Sequence, residues 1–184
     1  MSRLVVVAGP TAVGKGTLVS ALRQRRPDIW VSVSATTRAP REGEQDGFHY
    51  YFVSPPEFDR MISDGELLEW AVVHGVHRYG TPRGPVEERL AADVPVVLEI
   101  DLQGARQVRK TMPDALFVFV APPSFEALIE RLAIRGTEDQ AERERRLETA
   151  REELRAVDEF DVTIVNDVLD DAVTELEGIV ASAR

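Results

Sequence analysis

A chain of 184 residues with 43% hydrophobic and 29% charged side chains suits one globular unit with a real core. It has no cysteine, which excludes disulfides and thiolate metal sites, and its formal net charge of -10 argues against nucleic acid or an anionic membrane as partner. No apolar run approaches the ~20 residues that span a bilayer, and the run at Leu4–Ala8 is too short for a signal peptide, so the cytoplasm is the expected location.

In chain order, Leu4–Ala8 is a β-branched apolar run stopped by Gly9 and reads as a buried strand. Residues 17–26 read as a helix with Leu18, Ala21 and Leu22 on one face, and 30–33 as a short strand. Residues 34–53 change character: Arg, Pro, Gly and polar residues lead into an aromatic strand at 48–53. Ser54, Pro55 and Glu57 make a helix start, with an N-cap hydroxyl, a first-turn proline and a capping-box acid. That helix should end near Asp64 and Gly65. Residues 94–100 form a second buried run ending in Asp101, followed by a helix over 103–112 and a third buried strand over 116–120. Ser124 caps a helix to about Arg135, and Thr137 with Gln140 opens a long charged helix toward Asp158. A last strand at Val162–Val165 and a helix over 170–183 complete the pattern. Buried strands alternating with helices imply an α/β fold with a parallel sheet flanked by helices. Residues 34–84 read as an inserted α+β lobe with its own antiparallel sheet, and 136–146 as a mobile polar flap.

Between the first strand and the first helix stand Gly9, Pro10, Thr11, Ala12, Val13, Gly14 and Lys15, the first seven positions of the phosphate-loop pattern. Gly9 and Gly14 let the backbone turn tightly and present N–H groups to phosphate oxygens, the helix adds its positive end, and Lys15 reaches the β- and γ-phosphates. A glycine-rich strand-to-helix turn without a nucleotide is the alternative; a lysine at the helix start weighs against it. The pattern calls for Ser or Thr directly after the lysine, to bind Mg²⁺, but here Gly16 stands there and Thr17 follows. Magnesium is therefore expected through water, helped by Asp101 at the end of its strand, with Thr17 nearer the α-phosphate. The only lysines are Lys15 and Lys110, so further phosphate contacts must come from arginine, whose fork suits them.

Residues 34–84 hold the parts of a site for a purine monophosphate. Arg38 and Arg41 can clamp a dianion, and Tyr50 and Tyr79 can donate hydroxyls. Guanine offers N1–H and an amine as donors, which Glu69 complements, and O6 as an acceptor, which Ser34 and Thr81 can serve. Adenine would leave these groups poorly paired, and sites of that kind discriminate by ~10⁴–10⁵. Read singly, the same residues are as readily solvated loop charges, aromatic core or ordinary loop positions.

Their order decides otherwise. Ser34-Ala35-Thr36-Thr37-Arg38-Ala39-Pro40-Arg41-Glu42-Gly43-Glu44, Asp46-Gly47, Tyr50, Glu66-Leu67-Leu68-Glu69-Trp70-Ala71 and Tyr79-Gly80-Thr81 together resemble the guanylate kinase family signature. The resemblance continues through Glu99-Ile100-Asp101-Leu102-Gln103-Gly104, Ala121-Pro122-Pro123-Ser124, residues 131–137, Arg146-Leu147 and Val165-Asn166-Asp167, so it covers essentially the whole chain. It implies transfer of the γ-phosphate of ATP to GMP or dGMP with Mg²⁺, a GMP-binding lobe at 34–84 and a helical lid at 136–146. It also implies that Arg131, Arg135 and Arg146 approach the transferring phosphate and that Asn166 lies near the adenine. Asp101 is expected to serve the substrate as well as the metal. Two other readings compete: a catalytically silent binding module of guanylate-kinase type, which typically lacks a working phosphate loop, and a kinase for another acceptor, which would not need Glu69, Ser34 and Thr81 together.

Overall fold

The computed structural model describes residues 3–73, 76–134 and 140–183, with the backbone alone at 133, 134, 140–143 and 146. Five strands form a wholly parallel sheet: β1 (Leu4–Ala8), β2 (Trp30–Val31), β7 (Val96–Glu99), β8 (Leu116–Ala121) and β9 (Val162–Val165), in the order β2-β7-β1-β8-β9. The apolar runs are continuous because both faces are covered, and alternate residues serve opposite faces. Val5, Val7, Val97, Val118, Val120 and Ile164 pack under α1 (Lys15–Arg25), α5 (Phe125–Ile134), α6 (Gln140–Arg155) and α7 (Leu169–Ser182). Leu4, Val6, Val96, Leu98 and Phe117 pack on the other face with α3 (Arg83–Ala91) and α4 (Leu102–Thr111).

The first helix starts at Lys15, two residues before the expected start, because Gly14 in the left-handed region (φ 95°) turns the loop directly into it. α2 (Pro55–Ser63) begins as read: the Ser54 hydroxyl accepts from the Glu57 N–H at 3.3 Å. Ser124 likewise caps α5, accepting from the Ala127 N–H at 3.1 Å. The capping box of Thr137 and Gln140 lies outside the described residues.

A second sheet, in the order β4-β3-β6-β5, is built from β3 (Ala35–Thr36), β4 (Tyr51–Phe52), β5 (Leu67–Val73) and β6 (His77–Pro82). It is mixed rather than antiparallel: β3 pairs β4 in parallel, and the other ladders are antiparallel. The aromatic strand expected over 48–53 shrinks to two residues. Phe48 and His49 turn back on the Gln45 carbonyl, Gly47 sits at φ 74°, and the Asp46 carboxylate takes the Phe52 N–H at 2.8 Å. α4 ties this sheet to the core. Gln107 exchanges two hydrogen bonds with the Trp70 backbone (3.0 and 2.9 Å), and the Thr111 hydroxyl donates to the Leu68 carbonyl at 3.0 Å.

Candidate active site

The phosphate loop leaves β1 at the carboxyl end of the parallel sheet and enters α1. Gly9 is required there: a Cβ on it would overlap the Val120 carbonyl oxygen. A Cβ on Gly14 would stand 2.7 Å from the Asn166 amide nitrogen. Ala12, with φ 66°, adds a left-handed turn of the kind that aligns successive N–H groups toward an anion. The helix opens with the N–H groups of Lys15, Gly16 and Thr17, an end whose dipole suits an anion. The Lys15 ammonium lies back on the loop, donating to the Gly9 and Pro10 carbonyls at 2.6 and 3.0 Å. A cleft of about 460 Å³ opens here, lined by Thr11, Ala12, Gly14, Lys15, Gly16, Thr17 and Glu99.

Two residues expected near the nucleotide also brace the loop. Asn166 is 6% exposed; its amide donates to the Val13 carbonyl at 2.9 Å. Arg131 donates to that same carbonyl at 3.2 Å and to the Asn166 carbonyl at 2.9 Å. Asn166 and Arg131 thus hold the Val13 carbonyl of the loop together. Arg135 and residues 136–139 lie outside the described residues, as does the side chain of Arg146.

Two carboxylates were not foreseen. Glu99, at the end of β7, faces Gly16: a Cβ there would stand 3.4 Å from Glu99 Oε1. It reaches solvent through the cleft yet has protein on most sides, and this burial pushes its carboxyl up while the Lys15 charge pulls it down. Glu153 of α6 accepts from the Thr11 N–H at 3.2 Å, and burial raises its carboxyl against the pull of that bond and of Lys15. An acid closing a strand beside the phosphate-loop strand was the available signal for Glu99. Nothing local marks Glu153, 142 residues from its partner.

Asp101 is placed away from the phosphate-loop cleft. Its Oδ1 caps α4, accepting from the Gly104 N–H at 2.7 Å, and it lines an adjoining cleft of about 690 Å³ between β5 and α6. Glu69 points to the same spot: a Cβ on Gly104 would stand 3.0 Å from Glu69 Oε2 and 3.3 Å from Asp101 Oδ1. Glu69 is 8% exposed, and burial raises its carboxyl, with the Asp101 charge adding to the rise and the Thr81 hydrogen bond opposing it. Thr81 is fully buried and donates its hydroxyl to Glu69 at 2.7 Å. A hydroxyl has one proton, so Thr81 orients the carboxylate and is not available to donate to a guanine O6.

The cations and phenols also gather. The Arg38 Nε donates to the Tyr79 hydroxyl at 3.2 Å, and its guanidinium lies over the Tyr50 ring at 5.4 Å, itself 5.8 Å from the Tyr79 ring. Ser34 is half-buried at the start of β3, and its carbonyl accepts from the Tyr51 N–H. Arg41 is exposed at the tip of the same segment.

With this geometry in place, comparison with known proteins is decisive. The family model described as guanylate kinase matches residues 1–183. The chain belongs to the guanylate kinase family. It is 59% identical over 180 residues to a guanylate kinase of Thermobifida fusca (strain YX), covering 98% of this chain and 91% of that one. Against a guanylate kinase of Nocardia farcinica it is 58% identical over 183 residues, covering 99% and 95%. The crystal structure of guanylate kinase from Anaplasma phagocytophilum superimposes with a TM-score of 0.73 at 32% identity, over 98% of this chain and 85% of that one. A gluconokinase structure from Sinorhizobium meliloti, at 22% identity and a TM-score of 0.51, shares the fold alone. This guanylate kinase is an ATP:GMP phosphotransferase that converts GMP to GDP with ATP as donor. No described helix is long and apolar enough to cross a membrane.

Proposed function

We propose that ATP lies along Gly9–Thr17 and GMP, or dGMP, lies in the 34–84 lobe, with 1–33, 85–135 and 147–184 as core and 136–146 as lid. The observation that carries this reading is the convergence of Glu69 and Asp101 on one point beside Gly104, one strand-end from the phosphate loop. Guanine's N1–H and amine are donors, and two adjacent carboxylates suit them. Ser34 serves O6, and Thr81 acts through Glu69. The GMP phosphate meets Arg38, Arg41, Tyr50 and Tyr79.

A GMP phosphate oxygen attacks the γ-phosphorus in line. It is already an anion, so no protein base is needed. Lys15 turns from the loop carbonyls to the phosphates, and with Arg131, Arg135 and Arg146 it stabilises the transferring charge. Closure of the lobes excludes the water that would otherwise hydrolyse ATP. Glu99 in the phosphate-loop cleft and Asp101 in the adjoining one offer hard oxygens that fit magnesium and would hold the ion through water, with Thr17 nearer the α-phosphate. Bound there, Mg²⁺ supplies charge neutralisation to the phosphates. The cytoplasm is the location this reading assigns.

A coupled ADP-release assay with ATP and Mg²⁺ tests the acceptor site. GMP and dGMP should turn over strongly, and AMP and UMP hardly at all. AMP turning over as fast as GMP would remove the roles given to Glu69 and Asp101.

A further inference from the structure

A carboxylate sits inside the cluster expected to receive a phosphate dianion. Glu44 Oε1 accepts from Arg38 Nη2 at 2.9 Å, and Oε2 accepts from Arg38 Nη1 at 2.9 Å and from the Arg41 N–H at 2.7 Å. The Glu44 N–H in turn donates to the Arg41 carbonyl at 3.0 Å, which closes a tight turn. Arg38 Nη1 also donates to the Ala39 carbonyl at 2.7 Å, and Nε to the Tyr79 hydroxyl. A guanidinium has five N–H bonds. Among the described residues these contacts engage four of them and leave one, on Nη2. A fork-to-fork grip on phosphate, the expected role of Arg38, is thus already taken by Glu44.

A mobile competitor that the phosphate displaces would explain one bidentate contact. It would not explain the third bond, which ties Glu44 to the backbone that carries Arg41. Leaving would mean breaking all three bonds and opening the turn. The side chains of Arg38 and Glu44 are only 11% and 18% exposed, and the Arg38 guanidinium is held over the Tyr50 and Phe52 rings at 5.4 and 5.9 Å. The pair is built into the lobe. Arg38 holds Glu44 well ionised, its carboxyl drawn down to about 2, so the contact persists at any working pH.

We propose that Glu44 is a positioning residue for the GMP phosphate: it stays on Arg38 and Arg41, fixes the guanidinium against Tyr50 and Tyr79, and leaves one Arg38 N–H for the phosphate. Its charge repels the phosphate somewhat, and preorganisation outweighs that cost. An arginine already held in its bound geometry loses little freedom on binding, and misplacement by about an ångström costs up to ~10²-fold. The inference rests on the reading that Arg38 faces the GMP phosphate.

Glu44→Gln in the full chain tests it, because the isostere keeps the shape and removes the charge. The KM for GMP should rise roughly tenfold while kcat and the KM for ATP hold, and GMP binding by calorimetry should weaken in step. Guanosine, which lacks the phosphate, should bind as it does to the wild type. Glu44→Asp, charged on a shorter stem, should fall between the two and gives a second reading if the glutamine variant folds poorly. Unchanged or tighter GMP binding would overturn the proposal and make Glu44 a competitor. Equal losses for GMP and guanosine would overturn it too, reducing Glu44 to a structural part. Arg38→Ala separates the two readings: retained GMP affinity there removes the clamp itself, whereas lost affinity with a normal Glu44→Gln removes only the role of Glu44.

Discussion

On the proposed reading, the phosphate loop and the acceptor lobe hold their ligand groups in opposite ways. In the loop the recognising groups are backbone N–H bonds, and side chains serve to brace them: Asn166 and Arg131 both grip the Val13 carbonyl, and Gly9 presses on Val120. In the lobe the recognising groups are side chains, each braced by another: Arg38 by Glu44, Glu69 by Thr81, Tyr50 by Tyr79. The first kind of site fails by steric intrusion and the second by unbalanced charge. Substitutions chosen on each side should therefore fail differently.

Lys15→Ala should give the largest effect. It removes the one loop side chain that carries charge to the transferring phosphate, and kcat should fall by about 10²–10³. GMP binding by calorimetry should be unchanged, because the lobe is braced by its own pairs. A parallel loss of GMP affinity would show that the two regions are one electrostatic unit. Gly9→Ala should act through stability. The added Cβ meets the Val120 carbonyl, part of the backbone of a central strand, and φ 152° is rarely adopted by an L side chain. We expect a loss of about 3 kcal/mol or failure to fold, read by urea titration. A variant as stable as wild type would mean that the loop is less tightly seated on β8 than this geometry requires.

The same contrast explains what could be read from the sequence. The loop was legible because its constraints are local: two glycines, a lysine and a strand on one side. The caps at Ser54 and Ser124 were legible for the same reason. The two strands of the hairpin at Leu67–Val73 and His77–Pro82 were not, because their burial runs along the strand from core end to tip rather than alternating. Contacts set by distant partners carry no local signal. The Thr81 proton lies on Glu69, and the Asn166 amide lies on the Val13 carbonyl, 153 residues away. Asp101 had a local signal, a glycine three residues on with its N–H to cap. Its position after a buried strand points to the metal and does not reveal that cap. The lobe as a whole was legible through resemblance, since paired charges far apart in the chain have no period.

Glu69→Gln sharpens the comparison with the smallest change. Burial raises the Glu69 carboxyl in the folded protein, so the folded state holds that proton more tightly than the unfolded chain does. Its charge therefore costs stability above the raised value and nothing below the ordinary value of 4.5, where both states are protonated. The variant keeps an oxygen for the Thr81 hydroxyl and carries no charge. Its melting temperature should exceed that of wild type near neutral pH, and the gap should close as pH falls toward the ordinary carboxylate range. Selectivity should move the other way: an amide opposes one of guanine's donors with its own N–H, and the GMP-to-AMP ratio of kcat/KM should drop by about 10²-fold. A stability gap that did not grow with pH would mean that the carboxylate is better solvated than its 8% exposure implies. A gap that grew while selectivity held would leave Asp101 to read the base and make Glu69 a buried charge maintained for another reason. Both effects together would place the lobe's specificity in a charge the fold holds at a cost, whereas the loop's affinity lies in backbone that no single side chain carries.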